Sequence, residues 1–316
     1  MLSNFFELTI LSAIQGISEF LPVSSSAHLI LANDISNLGI SSIYLDTGMH
    51  LGSLLAVIFY FRNDLKKITK NKKLLYLMIF GSLPTIFLGA ILYITGLINL
   101  LRSIEIIAWT TFIFAILLWV ADKFKVEKKI DSDLNIMSIL LIGLFQMLSL
   151  IPGVSRSGIV ITAGRFLNFD RFESSKISFY LSIPAIAGAS FLTLKDLGSS
   201  IVDNNIIILL GICFSFIFSY LTIKYFLIYI KKFTLFAFII YRVILSFILF
   251  YIIYIWDFFN SGIIWENNTP ASIKQQPIIL FRFNIWDNII QAATAAKTPS
   301  SENIIADGVG EIFCCA

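Results

Sequence analysis

Apolar residues run along this chain in blocks too long for the core of a soluble domain. Six of them, residues 44–61, 74–97, 104–121, 174–193, 205–223 and 235–256, approach the ~20 residues that a helix needs to cross a ~30 Å hydrocarbon layer. Each is expected to be a membrane-spanning helix. Two other stretches break the pattern. Residues 19–30 read "EFLPVSSSAHLI" and residues 150–158 read "LIPGVSRSG". Both crowd polar groups beside a helix breaker, Pro22 in one and Pro152–Gly153 in the other.

Charge placement gives these blocks a direction. Lys and Arg number six in residues 62–73, four in 122–134, two in 162–173 and three in 224–234. Residues 32–43 hold none, 98–103 only Arg102, and 194–204 only Lys195. Basic loops stay cytoplasmic, so the first group is expected inside and the second outside. That alternation works only if each polar stretch enters and leaves on one side. Each is therefore expected to be a re-entrant hairpin, with backbone that departs from helix only where protein or a cavity satisfies it.

The two hairpins also resemble each other. A shift of 131 residues pairs Gln15 with Gln146, Ser18 with Ser149, Val23 with Val154, Ser24 with Ser155 and Ser26 with Ser157. Three spans follow each hairpin, so the second half enters the membrane upside down. The expected fold is an all-α polytopic membrane protein of two inverted-topology repeats, about residues 1–121 and 135–256. Residues 257–316 show no spanning period and are expected to form a poorly ordered extension. No removable leader is expected at the start, which lacks a basic segment before its apolar run.

Composition agrees with this class. The 316 residues are 57% hydrophobic and 14% charged, with mean hydropathy +0.86, against about a quarter charged in soluble domains. Cys213 is expected to pack inside a span, and Cys314–Cys315 suggest neither metal site nor disulfide framework. No phosphate-binding loop of the G-x-x-x-x-G-K type, zinc-spaced set or nucleic-acid module is present, and the lysines of residues 66–73 read as an orientation signal.

The polar stretches carry the candidate chemistry. Glu19 at membrane depth costs about 2.5–3.5 kcal/mol on insertion scales, so it must pair, line water or bind a cation. Gln15, four residues earlier, shares its helical face and offers an amide oxygen. Ser24, Ser25 and Ser26 follow Pro22, where unpaired N–H groups of a starting half-helix favour an anion, above all phosphate. His28 lies one turn beyond Ser25, a spacing that suits base, acid or nucleophile. Arg156, between Ser155 and Ser157, matches Ser25 in the second hairpin, and its planar fork fits phosphate or neutralises Glu19. His50 is expected behind the site or in a structural role, and Arg165 as an anchor reaching the interface.

At "QGISEFLPVSSSAH" (residues 15–28) and "PGVSRSG" (152–158) the sequence resembles the bacitracin-resistance-type undecaprenyl-diphosphatases. Weaker likeness runs through "HLGSLLAV", "SFYLSIPAIAGA" and "FTLFAFIIYRVIL", covering about residues 1–256. The resemblance implies a bacterial inner-membrane hydrolase that converts undecaprenyl diphosphate to the monophosphate and inorganic phosphate. Lipid-carrier recycling and bacitracin resistance follow from that activity. It further implies a site open to the periplasm, a divalent cation (Mg or Ca), and Glu19, Ser25, His28 and Arg156 as site residues. Gln15 stands where the family often has Glu, which removes one charge from the cation site. The partners are the lipid substrate and membrane lipids, with a homodimer left open and no nucleic acid. Two alternatives share the anion site: a polyprenyl-phosphate flippase, and an intramembrane serine hydrolase acting on acyl bonds. Whether Ser25 or His28 is the nucleophile stays open, with Ser25 as nucleophile and His28 as base preferred.

Overall fold

A computed structural model describes residues 2–25, 27–28, 43–95, 97, 101, 103–124, 128–196 and 205–256. Ser26 and the expected extension over 257–316, with Cys314 and Cys315, lie outside these. The described chain is helical: α1 (Leu2–Ser18), α2 (Ile43–Tyr60), α3 (Arg62–Lys70), α4 (Lys72–Thr95), α5 (Ile104–Asp122), α6 (Ile136–Met147), α7 (Arg156–Phe166), α8 (Arg171–Asp196), α9 (Asn205–Ile230) and α10 (Phe236–Tyr251). A π turn, Ile252–Trp256, prolongs α10. The helix starts follow capping chemistry. Ser103 accepts from Ile106 N at 3.1 Å, Asn135 from Ser138 N at 2.9 Å and Asp170 from Glu173 N at 2.6 Å.

Four helices, 72–95, 104–122, 206–230 and 236–254, are long and apolar enough to cross a membrane. The other two blocks expected as spans are helical, as α2 and α8, but are not among the helices long and apolar enough to cross. Their inward faces are polar, with Thr47, His50 and Ser53 on α2 and Ser174, Ser178, Ser182 and Ser190 on α8. Polar side chains point in while Phe87, Ile94, Trp109, Leu209, Ile217 and Phe247 point out, the reverse of a protein folded in water. Lipid as the outer solvent accounts for both. α9 runs past residue 223 to Ile230, because Lys224 ends the apolar block without ending the helix: lysine is a good helix former.

Helix contacts bind the two halves of the chain together. α1 and α2 pack on α9, α6 packs on α4, α2 and α4 pack on α8, and α5 packs on α10. α7 lies against α5, α6 and α8. Small residues permit the closest approaches. A Cβ on Gly16 would stand 2.9 Å from Ser219 N, one on Gly52 2.4 Å from Ile212 O, and one on Gly143 2.3 Å from Gly81 O. Between α2 and α9 the Ser53 hydroxyl meets those of Ser215 and Ser219 at 3.1 and 2.9 Å. Gly143→Ala should therefore push α6 off α4 and cost about 1–3 kcal/mol. A lowered unfolding midpoint in detergent, with the helical circular dichroism of the starting state intact, is the expected result.

Two expectations are corrected here. Arg165 is 1% exposed rather than reaching for the interface. Its guanidinium donates to the carbonyls of Phe169 (2.8 Å), Asp122 (3.1 Å) and Phe124 (2.5 Å), with Asp122 Oδ1 3.8 Å from Nε. It stitches the end of α5 to the turn after α7, because those loop carbonyls have no helical partner. Cys213 is exposed on the outer face of α9, not packed in the core. Its period places it with Leu209 and Ile217, both exposed, rather than with buried Ser215 and Ser219.

Candidate active site

The first polar turn begins where α1 ends. Glu19 N–H still donates to Gln15 O at 3.0 Å, then Pro22 forces an irregular path on which Val23 N–H donates to Leu21 O at 2.7 Å. Ser24 then caps the next helical turn, accepting from Ala27 N at 3.4 Å. In the second turn a short 3₁₀ segment, Leu148–Leu150, leads into Pro152–Gly153. Gly153 has φ +90, and a Cβ there would stand 2.1 Å from Thr110 Oγ1, so only glycine fits. Ser155, the N-cap of α7, accepts from Gly158 N at 3.3 Å and holds φ +68. A left-handed serine is strained and persists only because its surroundings over-determine it.

Those surroundings are Thr110 and Thr111 of α5 and Arg242 of α10. The threonine hydroxyls donate to Pro152 O (2.7 Å) and Gly153 O (3.3 Å). Arg242 Nη2 donates to Gly153 O (3.1 Å) and Val154 O (3.0 Å). The turn's buried carbonyls are thus satisfied from two neighbouring helices, which aims the start of α7.

What it aims at is the first turn. Arg156 Nη2 donates to Glu19 Oε1 at 2.7 Å, and the Ser157 hydroxyl donates to Leu21 O at 2.5 Å. Both charged side chains are nearly sealed, 3% exposed for Arg156 and 4% for Glu19. The second carboxylate oxygen accepts from Gln15 Nε2 at 2.9 Å, with His50 Nε2 3.5 Å away. Arg156 keeps Nε and Nη1 without partners among the described residues, and so does Arg242. Arg156 thus holds two unspent donor nitrogens beside the carboxylate, and Arg242 holds two more behind the second turn, a setting that favours an anion.

His28 and Ser24 lie on the far side of the first turn. His28 Nδ1 is 2.5 Å from Ser24 O, and Nε2 bonds the hydroxyl of Tyr241, whose ring stacks on the imidazole at 5.6 Å. A carbonyl only accepts, so in the neutral ring Nδ1 carries the proton and Nε2 accepts from the tyrosine. Ser25 is buried beside them, and Ser26 falls outside the described residues. Of the residues singled out from sequence, Gln15, Glu19, Arg156 and Ser157 come together directly, and Ser155 joins them through a 3.3 Å contact with Ser157. His28 is brought to Tyr241 of α10 instead. Tyr241, Arg242, Thr110 and Thr111 were missed. An ionisable residue inside an apolar span, as in "IIYRVIL", was the available signal. Tyr241→Phe keeps the stack but removes the donor that orients Nε2. A fall in kcat of about tenfold is expected, read from the initial rate of phosphate release.

The donor set also bears on a cation. Among the described residues no three His, Cys, Asp or Glu side chains gather. Gln15 Oε1 is nevertheless buried next to the Glu19 carboxylate with no partner among those residues. One carboxylate with one orphaned amide oxygen fits a hard cation that takes its remaining ligands from water and phosphate, as Mg does.

The family described as Bacitracin resistance protein BacA matches residues 8–248, a stretch that contains every one of these groups. The chain belongs to the BacA family. Among its BacA-type relatives, the undecaprenyl-diphosphatase of Pelagibacter ubique (strain HTCC1062) is 56% identical over 255 residues, 80% of this chain and 100% of that protein. The undecaprenyl-diphosphatase of Elusimicrobium minutum (strain Pei191) is 39% identical over 249 residues, 76% of this chain and 95% of its own length. That of Teredinibacter turnerae (strain ATCC 39867 / T7901) is 38% identical over 262 residues, 78% and 98% of the two chains. The flippase and serine-hydrolase alternatives gain nothing from relatives named for a diphosphatase.

Proposed function

We propose that this BacA-family chain is an undecaprenyl-diphosphate phosphatase of the bacterial cell envelope. It hydrolyses undecaprenyl diphosphate to undecaprenyl phosphate and inorganic phosphate, which returns the lipid carrier to cell-wall synthesis and confers bacitracin resistance. The observation that carries this reading is the 2.7 Å contact of Arg156 with Glu19, which leaves two guanidinium nitrogens without a partner among the described residues of a lipid-facing protein. A phosphoanhydride brings the anion those nitrogens lack.

In this mechanism Arg156, with Ser24, Ser26, Ser155 and Ser157 and the amide groups at the two helix starts, binds the phosphate oxygens. Ser25 Oγ attacks the terminal phosphorus, the bond to the bridging oxygen breaks, and undecaprenyl phosphate leaves. Neutral His28 takes the serine proton at Nε2, which the Tyr241 hydroxyl must first release, and returns it to Ser25 Oγ as water hydrolyses the phosphoserine. Glu19 and the Gln15 amide oxygen are the groups that hold a divalent cation, Mg or Ca. When bound, it neutralises charge spread over the transferring phosphoryl group.

The architecture we propose is a pair of inverted repeats, each a re-entrant hairpin and three spans. Support comes from the contacts. The shift of 131 residues carries α1 onto α6, α2 onto α8, α4 onto α9 and α5 onto α10. The packing of α1 on α9 then answers that of α6 on α4, while α2–α8 and α5–α10 pair each helix with its own counterpart. A two-fold relation predicts that exchange. The basic segment of α3, with Lys66, Lys67 and Lys70, marks the cytoplasmic side, so the site opens to the periplasm.

The test uses purified protein in detergent with undecaprenyl diphosphate. Cation-dependent release of phosphate, abolished by a chelator and restored by Mg or Ca, is expected. No phosphate release at any cation concentration contradicts the reading.

A further inference from the structure

His50 has no part in the mechanism above, yet it is buried against the carboxylate at its centre. It stands on α2, one turn beyond Asp46. Nδ1 is 2.9 Å from Asp46 O, and Nε2 is 2.9 Å from Gln15 Nε2 and 3.5 Å from Glu19 Oε2. In the neutral ring these contacts admit one arrangement of protons. The Asp46 carbonyl only accepts, so Nδ1 carries the hydrogen and Nε2 holds the lone pair. The Gln15 amide therefore donates one hydrogen to His50 and the other to Glu19, 2.9 Å away.

Turning that amide over would set its oxygen against a carboxylate oxygen and a nitrogen lone pair. Two hydrogen bonds would become two repulsions. The amide is locked, and its oxygen, on a residue 1% exposed, is left without a partner among the described residues. A buried acceptor with no donor is costly unless something binds it.

We propose that His50 is a positioning residue that acts through Gln15. By accepting from the amide it holds Gln15 Oε1 out as a fixed, neutral oxygen ligand for the divalent cation beside Glu19. A glutamine and a histidine together then do what a second carboxylate would do at this place. The inference rests on the reading above that a cation binds there. It also explains how a site with one negative charge fewer retains its cation: the remaining ligand is preorganised rather than charged.

The experiment compares wild type, His50→Leu, His50→Gln and Gln15→Leu, each purified whole. Mn²⁺ binding is read by electron paramagnetic resonance without substrate, and phosphate release is followed against cation concentration. His50→Leu should weaken Mn²⁺ binding about tenfold or more and raise the half-saturating cation to match. The effect should fall on that concentration more than on the rate at saturation. His50→Gln, whose amide oxygen accepts the same bond, should recover most of the loss. A histidine that merely fills space predicts the reverse, with leucine tolerated and glutamine no better. Unchanged Mn²⁺ affinity in folded His50→Leu, or equal impairment of the Leu and Gln variants, overturns the proposal. Should His50→Leu fail to fold, Gln15→Leu must show the same weakening, and normal affinity there overturns it too. Wild type that hydrolyses substrate but binds no Mn²⁺ removes the cation reading itself, which separates the two failures.

Discussion

Arg156→Ala is expected to lower phosphate release by about a thousandfold or more, the scale on which arginines serve phosphoryl transfer. Two effects combine. The variant loses Nε and Nη1, buried donors with no partner among the described residues, and so loses its grip on charge that grows in the transition state. It also strands Glu19 Oε1, whose 2.7 Å partner is gone. Breaking one side of a buried pair costs about 3–5 kcal/mol, so stability should fall with activity. The double variant Glu19→Gln/Arg156→Met separates the two effects. With no charge left to strand, its unfolding midpoint should recover toward wild type while its turnover stays lost. Arg156→Lys keeps a charge without the fork and should lie between. Turnover of Arg156→Ala within tenfold of wild type would remove Arg156 from the site.

Glu19→Gln is expected to cost about a hundredfold or more, by a different route. The carboxylate accepts from Arg156 on one oxygen and Gln15 on the other, with His50 at 3.5 Å. An amide of the same shape brings an NH₂ group against Arg156 or Gln15, both of which donate to this place. Either Arg156 or Gln15 must turn away. The cation needed for half-maximal rate should rise at least tenfold, whereas Arg156→Ala should act mainly on substrate KM and kcat. Rate measured against cation and substrate separately tells these apart. Equal cation dependence in Glu19→Gln and wild type would take the carboxylate out of cation binding.

Much of this site was legible because its chemistry is costly. A glutamate and an arginine inside apolar sequence must find partners, and Pro22 and Pro152–Gly153 fixed where the helices break. The two turns were expected to meet, and Arg156 does reach Glu19 across 137 residues of sequence. What stayed hidden depends on which face of a helix turns inward. Tyr241 and Arg242 are neighbours in sequence, and helical rotation sends one to His28 and the other to the Gly153 carbonyl. Spacing alone does not supply that rotation. Arg165 misled for the same reason. Position near a span's end suggested water, while the loop carbonyls of Asp122 and Phe124 offered a closer partner. His50 was placed behind the site, but the proton arrangement that gives it a task emerges only from its distances to Gln15 and Asp46.

The central claim is that two broken helices from opposite halves of the chain build one anion site around Arg156. Vanadate or a methylene-bridged polyprenyl diphosphate, bound to the purified protein and located by crystallography or cryo-electron microscopy, tests it most directly. The account predicts oxyanion oxygens about 2.7–2.9 Å from Arg156 Nε and Nη1, with the Ser25 hydroxyl facing the central atom. An anion seated elsewhere, with those two nitrogens still unpartnered, would contradict it.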